Sequence, residues 1–204
     1  MKESRRSWPE RRAVIHAALP PTIELRSPSA GLGLSAAPEP RGVGEHILTV
    51  YFCQLFWAGP TALDLRSSAW RAGRPLQWSP SETTVIWEPR FIESMRGVYR
   101  GFYAGDESLF EESLAPLGLE GAVELFRAHF GGDDQRAVTF DRGAFVQSFG
   151  AIFEHCKRER VTLHEDFVLL GAYLAGLYDS LADLGVSFDV RAAFHRALAH
   201  VDVS

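Results

Sequence analysis

Two carboxylates stand where binding chemistry is commonly built. Asp64 lies between Leu63 and Leu65, and Glu88 follows Trp87, so each sits in or beside a short apolar run. The stretch that holds them, residues 61–90, has no helical period. Irregular backbone between buried elements is where catalytic groups concentrate. The two residues are about 24 positions apart. If they face one cleft, Asp64 and Glu88 can share a divalent cation as its ligands. The same stretch carries Arg66, Glu82 and Arg90. A simpler arrangement pairs Asp64 with Arg66 and Glu88 with Arg90, or leaves each carboxylate solvated.

Other reactive residue types form no constellation. Among the seven histidines none is spaced from a second ligand as zinc requires, and His195 and His200 are five apart, wrong for one helical face. No serine stands in a nucleophile elbow. Cys53 and Cys156 both lie in apolar helical stretches and read as reduced core thiols. Gly31-Leu32-Gly33-Leu34-Ser35-Ala36 mimics a dinucleotide fingerprint. That chemistry needs a helix opening on the second glycine, and Pro38 and Pro40 forbid one there.

The elements that must position these groups are mostly helices. The clearest pair spans Asp141 to Gly185. Its first helix carries Phe145, Phe149, Ile152, Phe153 and Cys156 at helical spacing. Its second opens with Thr162 and Glu165, a capping-box pattern, and carries Phe167, Leu170, Leu174, Leu177, Leu181 and Leu184 before a C-terminal Gly185. The two should pack antiparallel against a third helix, 43–58, apolar on nearly every side. Thr22 to Arg26 reads as a short strand, and residues 27–42 as a Pro/Gly/Ser-rich linker. Leu63-Asp64-Leu65 and Val85-Ile86-Trp87 read as short strands, with a turn at Ala72-Gly73-Arg74-Pro75 between them. From Phe91 onward everything reads as helix, with Ile92, Met95, Val98 and Phe102 on one stripe. The fold expected is mainly α, a helical domain over 43–204 with a small β-hairpin, preceded by a partly irregular arm over 1–42.

Composition narrows the function classes. The net charge of −5 and the lack of a basic stripe give no nucleic-acid surface. No uninterrupted apolar run reaches the roughly 18–20 residues that span a bilayer. The charged start, Met1 to Arg12, has no apolar segment behind it, so it is not a secretory signal. These features point to a cytoplasmic protein, at most peripheral to a membrane.

The order of elements resembles a known family. Tyr51-Phe52-Cys53-Gln54-Leu55-Phe56-Trp57-Ala58-Gly59, a loop, a short strand and a helical tail resemble the ABC1 family, also called AarF or UbiB. These are atypical kinase-like proteins linked to ubiquinone biosynthesis. There a helix of the type Y-F-x-Q-[LI]-F-x-x-G leads into H-A-D-P-H-P-G-N, then a strand and D-F-G. Leu163 to Ala172 looks like the family's L-P-E-D-x-x-L-L-x-R-A segment. The resemblance covers about Gly44 to Val190 and implies a kinase-type C-lobe. It lays Ala62–Ala69 on the catalytic loop, with Asp64 on the catalytic Asp and Ala69 on the magnesium-binding Asn. It lays Glu88-Pro89-Arg90 on D-F-G.

The departures fall on the catalytic motifs. Phosphoryl transfer relies on a Lys at the triphosphate and on Asp and Asn holding the metal. This chain has no asparagine, and its lysines are Lys2 and Lys157. About 40 residues precede the buried helix, too few for a nucleotide-covering N-lobe. The expectation is a degenerate, non-catalytic kinase-like scaffold without a cofactor, binding a protein partner or a membrane-associated complex. The alternatives are a weak ATP- and magnesium-handling enzyme using Asp64 and Glu88, and an unrelated helical domain holding a small molecule among Phe145, Phe149 and Phe153.

Overall fold

The computed structural model describes residues 7–27, 34, 37–130 and 136–202. The fold is mainly helical with small sheets. Most of the glycine fingerprint, residues 31–33, 35 and 36, lies outside the described residues.

The chain opens with α1 (Trp8–Ala18) and β1 (Ile23–Leu25). The expected strand at 22–26 is present, with Ile23 and Leu25 buried together on one face. Ile15 and Leu19 are buried beside them, so much of the stretch expected to be an irregular arm belongs to the core. α2 (Pro40–Phe56) follows. Pro40 occupies its first turn, where a missing N–H costs nothing. Twelve of its residues, from Val43 to Phe56, are buried, as a helix apolar on every side requires.

The irregular stretch folds with a different pairing from the one expected. β2 (Thr61–Ala62) precedes a 3-10 turn at Ser67–Ala69. β3 (Trp70–Arg71) and β4 (Leu76–Trp78) form the hairpin across Ala72–Pro75, and β1 joins β4 in parallel. β5 (Thr84–Val85) returns to pair with β2. Leu63–Leu65 and Ile86–Trp87 are therefore outside the strands. Stacking of Trp70 on Trp78, with centroids 5.3 Å apart, sets the register. Short strands gain most from such cross-strand aromatic pairs.

The helical half comprises α3 (Pro89–Ala104), α4 (Glu107–Leu114), α5 (Val123–His129), α6 (Arg142–Glu159), α7 (Glu165–Leu184) and α8 (Val190–Val201). Glu88, Asp106, Asp141 and Asp189 cap α3, α4, α6 and α8. Gly105 and Gly185 end α3 and α7 in the left-handed conformation that favours glycine. α6 and α7 run antiparallel. Arg142 at the start of α6 pairs with Asp179 and Asp183 near the end of α7, while Phe149 stacks on Phe167 near its start.

Three expectations are corrected here. α7 is capped by His164, which accepts from the Asp166 N–H at 3.2 Å, and not by a box at Thr162. α7 and α8 pack on α2, whereas α6 lies mainly on α5 and α7. The region after Phe91 is also not wholly helical: β6 (Val138–Thr139) pairs with β7 (Ser187–Phe188).

One helix among the described residues, α7, is long and apolar enough to cross a membrane by length and composition. The sequence hides this because Asp179 and Asp183 interrupt the apolar run. More than half of its most apolar window, 56%, is buried within the fold.

Candidate functional site

The loop from Thr61 to Ala69 is held from three directions. α2 fixes its start: the Gln54 Oε1 accepts the Ala62 N–H at 2.8 Å, and the Gln54 amide donates to the Tyr173 hydroxyl at 2.8 Å. The hairpin fixes its middle, because the Trp78 indole donates to the Asp64 carbonyl at 2.9 Å and the Trp70 indole to that of Leu65 at 3.1 Å. α7 fixes its end. The Asp179 carboxylate accepts the Ser67 N–H at 2.9 Å, and the Ser180 hydroxyl donates to the Leu65 carbonyl. Gly176 makes this approach possible, since a Cβ there stands 3.3 Å from the Leu65 and Arg66 nitrogens.

Asp64 is thus buried on a rigid loop, at 8% exposure. Its carboxylate takes the Arg66 guanidinium through both oxygens, at 2.9 and 3.0 Å, and the Ser81 N–H at 3.0 Å. Burial opposes its ionisation, but the Arg66 side chain and the Ser81 and Arg66 N–H groups outweigh it. The carboxyl titrates below the usual carboxylate range. The Asp64–Arg66 pair weighed from the sequence is therefore present.

Glu88 has a different task. Its carboxylate accepts the Phe91 N–H at 2.9 Å and caps α3. That bond, then the Arg90 N–H, lowers its pKa. Its own N–H donates to Asp166 at 2.7 Å, tying the start of α3 to α7. The His164 ring stacks on Phe91 and brings its Nε2 to 3.9 Å from the Glu88 carboxylate. Asp64 and Glu88 share no hydrogen-bond or ion-pair partner among the described residues. Ser81, the indoles of Trp70 and Trp78, and Asp166 were not legible as site-builders in the sequence. Two tryptophans flanking a Gly-Arg-Pro turn were the available signal.

A concavity lies elsewhere, against the Leu174, Leu177 and Tyr178 side of α7. It is a cavity of about 180 Å³. Tyr51, Tyr99, Tyr103, His129, Phe140 and Tyr178 wall it, and Asp141 and Ala144 stand at its exposed edge. This is not the place expected. Phe145, Phe149 and Phe153 instead pack into an aromatic stack with Phe167, over Gly171, whose absent Cβ leaves room for the Phe149 ring. The volume is also below the roughly 300 Å³ of a drug-sized site. Tyr99 and Tyr103 share a face of α3 at four-residue spacing, a pattern visible in the sequence but attributed there to neither core nor site.

The fold is a mainly α domain built around a clamped loop and an aromatic cavity. No family model matches the chain, and no curated protein matches it.

Proposed function

We propose that this chain is a non-catalytic, kinase-C-lobe-like domain of the ABC1 type that serves as a scaffold for a protein partner. The observation that carries this reading is the state of Asp64. The carboxylate on which the resemblance lays the catalytic Asp is spent on a bidentate arginine and a backbone N–H. A metal ion at that position has to displace a guanidinium that already satisfies both oxygens. The segment laid on D-F-G supports the same reading: Glu88 caps the N-terminus of α3 through the Phe91 N–H at 2.9 Å.

A partner surface is suggested by apolar side chains left outside the core. Val168 is 58% exposed on α7, and Ile86 on the neighbouring loop is 67% exposed. The scaffold reading supports residence in the cytoplasm or at a membrane face, in a protein assembly.

Calorimetric titration with magnesium ATP tests the proposal. No heat of binding is expected in the micromolar range, for the wild type or for Arg66→Ala, which frees Asp64. Micromolar binding by the wild type overturns the scaffold reading in favour of a nucleotide-handling enzyme. Binding that appears only in Arg66→Ala assigns the loss of function to that arginine and upholds it.

A further inference from the structure

The cavity walled by Tyr99, Tyr103, His129 and Tyr178 has features that packing alone does not require. The Tyr51 and Tyr99 hydroxyls bond to each other, so both are satisfied. Those of Tyr103 and Tyr178 have no hydrogen-bond partner among the described residues, although Tyr103 is 4% exposed and both residues line the cavity. Neither oxygen is sealed from the cavity, so a ligand that bonds to them takes the place of water there.

His129 adds the complementary half. The Ser148 hydroxyl donates to the Phe145 carbonyl at 3.2 Å, so its oxygen is left to accept. It lies 3.0 Å from His129 Nδ1, and with the Ser148 proton so used we assign the ring proton to Nδ1. Nε2 then carries a bare lone pair and has no partner among the described residues. The cavity wall therefore offers two free O–H groups and one free acceptor nitrogen.

We propose that this cavity binds a small, flat, uncharged ring carrying both a hydrogen-bond donor and an acceptor, the chemistry of a lactam or an azaheteroaromatic ring. Size selects a single ring: about 180 Å³ is comparable with the roughly 150 Å³ cavity that accepts benzene. Shape selects a flat one, because the walls are aromatic faces that pair by stacking or edge contact. Polarity selects both a donor and an acceptor, one for His129 Nε2 and one for a tyrosine O–H. Charge is disfavoured. Burial holds His129 neutral, with its pKa lowered to about 4, and burial likewise raises that of Tyr178 to about 12. Asp141 stands exposed at the mouth and is engaged as the cap of α6 through the Ala144 N–H at 2.8 Å.

The test uses 2-pyridone as probe with the whole chain, and benzene and benzoate as controls. Saturable one-to-one binding of 2-pyridone is expected by calorimetry, with benzene weaker and benzoate silent. Tyr178→Phe and Tyr103→Phe should each weaken 2-pyridone about 2- to 10-fold, the worth of one neutral hydrogen bond, and leave benzene unchanged. Ala144→Trp, at an exposed position on the mouth, should abolish binding of both. No saturable binding at about 10 mM, within reach for so small a ligand, overturns the proposal. So does benzene binding as tightly as 2-pyridone, or binding untouched by Ala144→Trp. Chemical-shift mapping on the wild-type chain reads the site without any variant. Shifts centred on His129 and Tyr178 support it, and shifts centred elsewhere refute it.

Discussion

Replacing Asp64 with alanine isolates the contact on which the functional reading rests. Four N–H groups lose their acceptor at once, three on Arg66 and one on Ser81. The Ser81 N–H, at 3.0 Å from the carboxylate, is the costly one, because a bond to a charged acceptor contributes about 1.5–3 kcal/mol. The Arg66 side chain is 63% exposed and regains water, so its pair adds only about 0–1 kcal/mol. The expected destabilisation is about 2–4 kcal/mol, a large share of a typical total of about 5–15 kcal/mol. For a chain of this size it lowers the melting midpoint by about 5–15 °C. Circular dichroism melts at neutral pH measure it directly. The pH dependence gives a second reading. Asp64 has a folded pKa below its unfolded value of 3.8. As pH falls, the unfolded chain takes up the proton first, so the carboxylate's contribution is present above about pH 4 and is lost below it through the folded pKa. The alanine variant should lack that part of the acid loss. A midpoint within about 1 °C of the wild type, or an unaltered acid limb, refutes the claim that this carboxylate is a structural clamp.

Other changes probe the elements around it. Gln54→Leu strands the Ala62 N–H in the core and removes the donor to the Tyr173 hydroxyl, which keeps its bond to the Tyr51 carbonyl at 3.4 Å; urea denaturation should show a loss of about 1–3 kcal/mol. Gly101→Ala places a Cβ 2.4 Å from the Phe110 nitrogen, where α3 meets α4. Overpacking of about 1–3 kcal/mol or more should exceed the helix-propensity gain of about 1 kcal/mol, so this variant melts lower than the wild type. A variant that melts higher shows that the two helices do not approach so closely. His129 has a folded pKa lowered to about 4 against 6.5 unfolded, by burial. The unfolded state therefore binds the proton first, and His129 costs the fold up to about 3 kcal/mol as pH drops from about 6.5 to 4. His129→Leu should flatten the stability profile in that window, measured by urea midpoints at stepped pH.

The helices were legible in the sequence because their information is local. Asp141, Gly105 and Gly185 act within one turn, and the stripes on α3, α6 and α7 recur at the period of the element that carries them. Even there the start of α7 was misplaced. His164 and Thr162 can both offer a capping atom, and the bond between Asp166 and the Glu88 N–H links the His164 end of α7 to α3. The strands were less legible, since two- and three-residue strands carry almost no period. Their pairing was set by a tryptophan stack and by β1, some fifty residues upstream of β4.

By itself the sequence determined a mainly α chain with one apolar central helix, an antiparallel pair at 141–184, and a non-helical stretch carrying Asp64 beside Arg66. Only the tertiary structure decided what those groups do. Whether Asp64 faces a cation or an arginine depends on Ser81 and on two indoles that steer the loop. Whether aromatic side chains fill space or wall a cavity depends on which helix faces meet: Phe149 closes over Gly171, while Tyr103 and Tyr178 keep free hydroxyls around an opening. Local periodicity fixes which side of a helix is apolar. The distances between groups far apart in the chain arise only when those sides are brought together.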